Sequence, residues 1–172
     1  FLGTLEAGGG TEMGPAMAKA LETSPGNDRI RLVYFLTDGF VGNDDVIVSA
    51  ARSNLGANRI FSIGIGSAPN RALLDQIAQV GRGFPSYLNL TEAATDVGGD
   101  IVRRTAFPYL TDIKIEWNGL AVGSVTPAAI PDVYAGAPRV ISGVYTQPGH
   151  AKVVVSATAA GHRVKIPLEV TL

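Results

Sequence analysis

The sequence predicts an α/β fold, a parallel sheet with flanking helices over residues 1–108, followed by an antiparallel β-rich, sandwich-like region over residues 109–172. Three observations predict it. Leu32-Val33-Tyr34-Phe35-Leu36 is a near-continuous apolar run, the pattern of a strand covered on both faces in a parallel sheet. Apolar residues at helical spacing alternate with such runs as far as Ile101. Beyond Phe107-Pro108 they recur at every second position instead.

The elements follow in order. Phe1, Leu2 and Leu5 read as the last turn of a helix stopped by the glycines after it. Met13, Met17 and Leu21 then lie on one face of a helix, which Ser24-Pro25-Gly26-Asn27 breaks. After the strand at 31–36, Asn43 or Asp44 caps a helix whose apolar stripe is Ile47, Ala51 and Leu55. A second strand runs from Ile60 to Ile65, and Pro69 suits the first position of the next helix. Leu73, Leu74, Ile77 and Ala78 face inward there, and Gly81 and Gly83 end it. Ser86 to Leu90 is a short strand, and Thr91 caps a helix carrying Val97 and Ile101. Arg103-Arg104 suits that helix's negative end, as Asp44-Asp45 suits a positive one. Strand–helix alternation of this kind implies a parallel sheet. In the β region Ile113, Ile115 and Trp117 alternate with charged neighbours, and Val164, Ile166, Leu168, Val170 and Leu172 do the same. Ala160-Gly161 is the hairpin turn before the last of these runs.

Composition narrows the function. With 46% hydrophobic and 17% charged residues the chain can bury a sizeable core and is not disordered. A net charge of −1, with no cluster of Lys and Arg, offers no phosphate-binding face, so no nucleic-acid partner is expected. No apolar run approaches the roughly 20 residues that cross a bilayer, so no membrane insertion by this chain is expected. The absence of cysteine excludes disulfides, thiolate zinc sites and a cysteine nucleophile. His150 and His162 fall in turns with no serine–carboxylate arrangement nearby. Gly64-Ile65-Gly66 lacks the third glycine of a dinucleotide-binding loop.

Gly9-Gly10-Thr11, Leu36-Thr37-Asp38-Gly39 and Ser62-Ile63-Gly64-Ile65-Gly66 stand in an order that resembles the C-terminal half of a von Willebrand factor A domain, a partial Rossmann-like sheet. Pro131-Asp132-Val133-Tyr134-Ala135-Gly136 looks like the segment following that domain in inter-α-trypsin inhibitor heavy chains and their bacterial relatives. Taken singly, Thr11 is a helix cap and Asp38-Gly39 a turn. The resemblance implies more: a metal-ion-dependent adhesion site (MIDAS) in which Thr11 and Asp38 hold Mg²⁺ or another divalent cation. Glu12 and the backbone of Gly8, Gly9 and Gly10 would line its rim. A hard cation of this kind prefers oxygen ligands in octahedral array. The family's other ligands come from an Asp-x-Ser-x-Ser loop that nothing in these residues matches. The site is therefore expected to be incomplete here, with no metal bound by these residues alone and Phe1 a boundary within a longer protein.

The function implied is a non-catalytic binding or adhesion module of a secreted, periplasmic or cell-surface protein. Its partner would be a protein that completes the metal shell with a carboxylate. The alternatives are a purely structural fragment, or a metal-assisted subunit of a chelatase-like complex, for which no Walker motif is present. In the family the strand bearing Asp-x-Ser-x-Ser pairs with the one corresponding to Leu32–Leu36. Without it that strand becomes an edge, and self-association as a two-fold dimer is expected.

Overall fold

A computed structural model describes residues 12–22, 30–39, 42–89, 91 and 93–172. The segments Phe1–Ala7 and Ser24–Asn27 lie outside them. Helix α1 (Met13–Leu21) leads to strand β1 (Leu32–Thr37), then α2 (Asp44–Asn54), β2 (Arg59–Ile65), α3 (Arg71–Val80), β3 (Arg82–Leu88) and α4 (Ala94–Ala106). The three strands form one parallel sheet in the order β1-β2-β3. Tyr34 stands opposite Phe61 and Phe35 opposite Ser62.

Alternation along β2 splits its side chains between two cores. On one face Ile60 is buried with Met17 and Leu21 of α1, Ile47 and Ala51 of α2, and Leu73 and Ile77 of α3. Val33 and Phe35 of β1 pack against that cluster. On the other face Phe61, Phe84 and Tyr134 meet edge to face, with ring centroids 5.1 to 5.5 Å apart. Such ring pairs contribute about 0.5–1.5 kcal/mol each beyond the area they bury.

Several local expectations are corrected. β1 is covered on one face only: Leu32, Tyr34 and Leu36 are 39%, 37% and 55% exposed. What reaches that face is Thr105 of α4, whose hydroxyl lies 2.7 Å from the Tyr34 hydroxyl, and it leaves both leucines in solvent. The first residue of α3 is Arg71 rather than Pro69, because Asn70 caps the helix with its side-chain oxygen accepting the Leu73 N–H at 3.2 Å. Asn43 precedes α2 in a left-handed conformation without capping it. Ala93, not Thr91, occupies the cap position of α4 and offers no side-chain acceptor. Gly81 does end α3, its N–H bonded to the Ile77 carbonyl. Gly83 instead belongs to β3, which begins four residues before Ser86. A Cβ at Gly83 would sit 2.0 Å from the Ile60 carbonyl oxygen, so only glycine admits that approach.

The remaining strands are β4 (Thr111–Glu116), β5 (Val122–Thr126), β6 (Ser142–Tyr145), β7 (His150–Ala159) and β8 (His162–Thr171). They form an antiparallel sheet β4-β7-β8 and a two-stranded sheet β5-β6. The Ala160-Gly161 turn has positive φ at both positions, 47° and 81°, the conformation that suits a two-residue hairpin loop. Ile113 and Ile115 alternate in burial with their charged neighbours as expected. Ile166 and Leu168 do not: both are exposed, since no second layer covers that stretch of β8 among the described residues.

Candidate functional site

Ligands of open α/β sheets gather at the carboxyl ends of the strands. β1 delivers Asp38 there, one residue beyond buried Thr37, and the Asp38 side chain is exposed. The other nearby acid in sequence, Asp44, is already engaged. Its carboxylate accepts from Asn70 Nδ2 at 2.8 Å, and Asn70 in turn caps α3. A carboxylate held by a neighbouring amide is a structural tie between helix ends, whereas the exposed Asp38 side chain makes no hydrogen bond or ion pair among the described residues.

Glu12 is exposed at the position preceding α1, and its backbone carbonyl accepts the Ala16 N–H at 3.2 Å. Gly9, Gly10 and Thr11 lie outside the described residues, so the predicted Thr11–Asp38 pairing has no geometry to report. Among the described residues no group of three or more His, Asp or Glu side chains could hold a metal ion. One open carboxylate supplies too few oxygens for an octahedral cation. His150 opens β7 with Nδ1 2.8 Å from the Thr171 hydroxyl, and His162 opens β8; both are exposed. No helix among the described residues is long and apolar enough to cross a membrane.

A second constellation, at the start of β2 and β3, escaped the sequence reading. Asp132 is fully buried, with its carboxylate 2.5 Å from Arg59 Nε and 2.9 Å from Arg82 Nη2. Its backbone carbonyl accepts from Arg139 Nε at 3.0 Å, and Arg139 also donates to the Gly83 carbonyl. Arg104 lies 4.0 Å above the Phe84 ring and donates to the Ala135 carbonyl at 2.8 Å. Four arginines thus fasten the Pro131–Arg139 segment to the parallel sheet. The available signal was an aspartate set among apolar residues, which demands a cation when buried.

Burial raises the Tyr134 phenol above its ordinary value, and the adjacent Asp132 carboxylate adds to the shift. Burial also lowers Arg139. A raised acid is held neutral in the folded chain, while the unfolded chain ionises it near pH 10. Stability from this group is therefore complete below about pH 10 and declines as pH rises toward the folded value. Denaturant unfolding at pH 9 and pH 11 should show a smaller alkaline loss for Tyr134→Phe than for the parent chain. Equal losses would mean that the phenol titrates normally.

No protein-family model matches the chain. Sequence relatives are informative nonetheless. Human inter-alpha-trypsin inhibitor heavy chain H6 is 28% identical over 177 residues, covering 94% of this chain and 13% of that protein. A von Willebrand factor A domain-containing protein of Dictyostelium discoideum is 29% identical over 106 residues, covering 62% of this chain and 5% of that protein. Mouse von Willebrand factor A domain-containing protein 5B1 is 27% identical over 109 residues, covering 63% of this chain and 9% of that protein. Among solved structures, a von Willebrand factor type A protein from Catenulispora acidiphila superposes with a TM-score of 0.58 at 19% identity. The ArnB paralog VWA2 from Sulfolobus acidocaldarius gives 0.54 at 16%. Each match covers 98% of this chain and 48% of the other, so the chain spans about half of each solved structure and a small part of each curated relative. The fold is that of von Willebrand factor A domains, and the sequence relatives carry that domain.

Proposed function

From this likeness to von Willebrand factor A domain proteins, we propose that the chain is a non-catalytic protein-interaction module of a secreted, periplasmic or cell-surface protein. Its contact point is a MIDAS-type site at the carboxyl edge of the parallel sheet. Asp38 and Thr11 contribute oxygens to Mg²⁺ or a similar cation, and Gly9, Gly10 and Glu12 form the rim. The partner protein supplies a carboxylate. One observation carries this reading: at that edge Asp38 is exposed, while Asp44 is held by Asn70.

The proposal makes a paired expectation. The 172-residue chain alone binds Mg²⁺ or Mn²⁺ weakly, because one or two oxygens displace little of the ion's water. With an Asp-x-Ser-x-Ser segment joined ahead of it, calorimetry should show divalent-cation binding that Asp38→Ala weakens at least tenfold. Asp44→Ala should leave it within about threefold, since that carboxylate joins helices. Equal losses from the two substitutions would remove Asp38 from the site.

A further inference from the structure

α3 has a face that the core does not use. Leu73, Leu74, Ile77 and Ala78 are buried, whereas Asp75, Gln76, Gln79 and Val80 recur at helical spacing on the outer side. Two cavities lie along that side. Val48, Leu55, Val80, Pro127, Ala128 and Ala129 give the larger, of about 480 Å³, its apolar lining. The smaller, of about 250 Å³, continues it, because Gln79 and Pro127 line both. Pro85, Pro131, Pro138 and Val140 carry the apolar lining onward, and Val140 is 81% exposed. The polar groups of the larger cavity are the guanidiniums of Arg52 and Arg82 and the amides of Gln76 and Gln79, with no carboxylate among its described lining residues. Arg82 already pairs with Asp132. Arg52, in the last turn of α2, and both glutamines are exposed and make no hydrogen bond or ion pair among the described residues.

We propose that this trough holds an extended peptide of a partner protein, with apolar side chains against Val48, Val80 and Pro127 and a glutamate or aspartate against Arg52. Shape selects a polypeptide over a small molecule. A small ligand sits where about 70–90% of its surface is buried, and no residue lining the larger cavity is itself buried. A trough that runs on past Gln79 into a second cavity suits a longer occupant. Alternate side chains of an extended segment face one way, so apolar residues two apart meet the wall and an acid two further on meets Arg52. An extended peptide cannot satisfy its own backbone groups, and each glutamine amide offers them both donors and an acceptor. Charge selects the acid: a guanidinium takes a carboxylate bidentately, and the lining holds no carboxylate to compete. The trough is also separate from the proposed cation site. Arg82 opens β3 at the amino ends of the parallel strands, while Asp38 lies beyond the carboxyl end of β1. Binding in the trough therefore needs no metal.

The probes are acetyl-Leu-Ala-Leu-Ala-Glu-amide and acetyl-Glu-Ala-Leu-Ala-Leu-amide, which present the same side chains in the two chain directions. Each is titrated into the 172-residue chain, followed by the amide signals of Gln76, Gln79, Ala128 and Ala129. One peptide should bind saturably and shift those signals, equally with and without EDTA and equally in Asp38→Ala. Arg52→Gln should weaken it about fivefold, the upper range for a solvent-exposed ion pair, and Arg52→Lys should weaken it less. The same peptide with Gln for Glu should bind the parent chain and Arg52→Gln alike. No shift from either peptide at millimolar concentration overturns the proposal, as does binding indifferent to Arg52. Binding lost with EDTA or in Asp38→Ala overturns it by moving the contact to the cation edge. Octanoate binding more tightly than both peptides would make the trough a site for a small acid, and the same shifts on concentrating the chain alone would make it a self-contact. Either result overturns the proposal too.

Discussion

Asp132→Ala should destabilise the chain by about 3–5 kcal/mol, the usual effect of removing one member of a buried ion pair. The size follows from what stays behind. Arg59 has a side chain 8% exposed and, among the described residues, keeps only the carbonyls of Ala57 and Asn58, and Arg82 loses its closest acceptor. A buried cation without its partner costs several kcal/mol because the desolvation remains and the attraction is gone. Against a total stability of about 5–15 kcal/mol, that is enough to unfold a marginal domain. Urea midpoints measure it: with a slope of about 2 kcal/mol per molar, the midpoint should fall by about 2 M. Replacing both partners, Arg59→Met with Asp132→Leu, should recover most of the loss, because an apolar pair leaves no charge stranded. A change below 1 kcal/mol in Asp132→Ala would show that Arg59 finds solvent readily and that the joint is soft.

This joint marks where sequence patterns stop being informative. Helix and strand periodicities are local, and they located α1 to α3, β2 and the Ala160-Gly161 hairpin because burial there follows spacing. The period change at Phe107-Pro108 was legible for the same reason. Asp132 lies 73 residues from Arg59 and 50 from Arg82. No spacing rule reaches that far, and the one local signal, an aspartate set among apolar residues, names no partner. Arg104 shows a similar limit. Its place in the last turn of α4 was expected on dipole grounds, but its stacking on Phe84 depends on where the sheet lies. β1 was misjudged differently: an apolar run reports that both faces could be covered, and the neighbours decide whether they are. Of the candidate site, the strand pattern placed Asp38 just beyond the end of β1, where the structure has it; its role toward a cation is the proposal above. That Asp44 is tied to Asn70 was not legible, since the tie joins two helix ends 26 residues apart.

Truncation after Pro108 should abolish cooperative folding, while truncation after Val140 should preserve it. Packing ties the α/β unit to the segment that follows it in the chain. Phe61 and Phe84 bury their rings against Tyr134, the Leu110 and Val133 backbones bridge, and Arg59 pairs with Asp132. Residues 1–108 keep every helix and strand of the α/β unit yet lose the cover of its second aromatic face. Exposing that cluster forfeits roughly 25 cal/mol for each Å² of apolar surface returned to water, and Arg59 is left buried without its carboxylate. Residues 1–140 retain the Pro131–Arg139 segment and all four arginine contacts, and give up β6, β7 and β8, whose pairings lie within the β region. Thermal and urea unfolding of the two truncations, followed by near-ultraviolet circular dichroism, separates the cases. The longer piece should unfold in one sharp transition, and the shorter should bind a hydrophobic dye and show no near-ultraviolet signal. A sharp transition in residues 1–108 would show that the α1–α3 core alone stabilises the sheet. The Asp132 joint would then couple two units that are already folded.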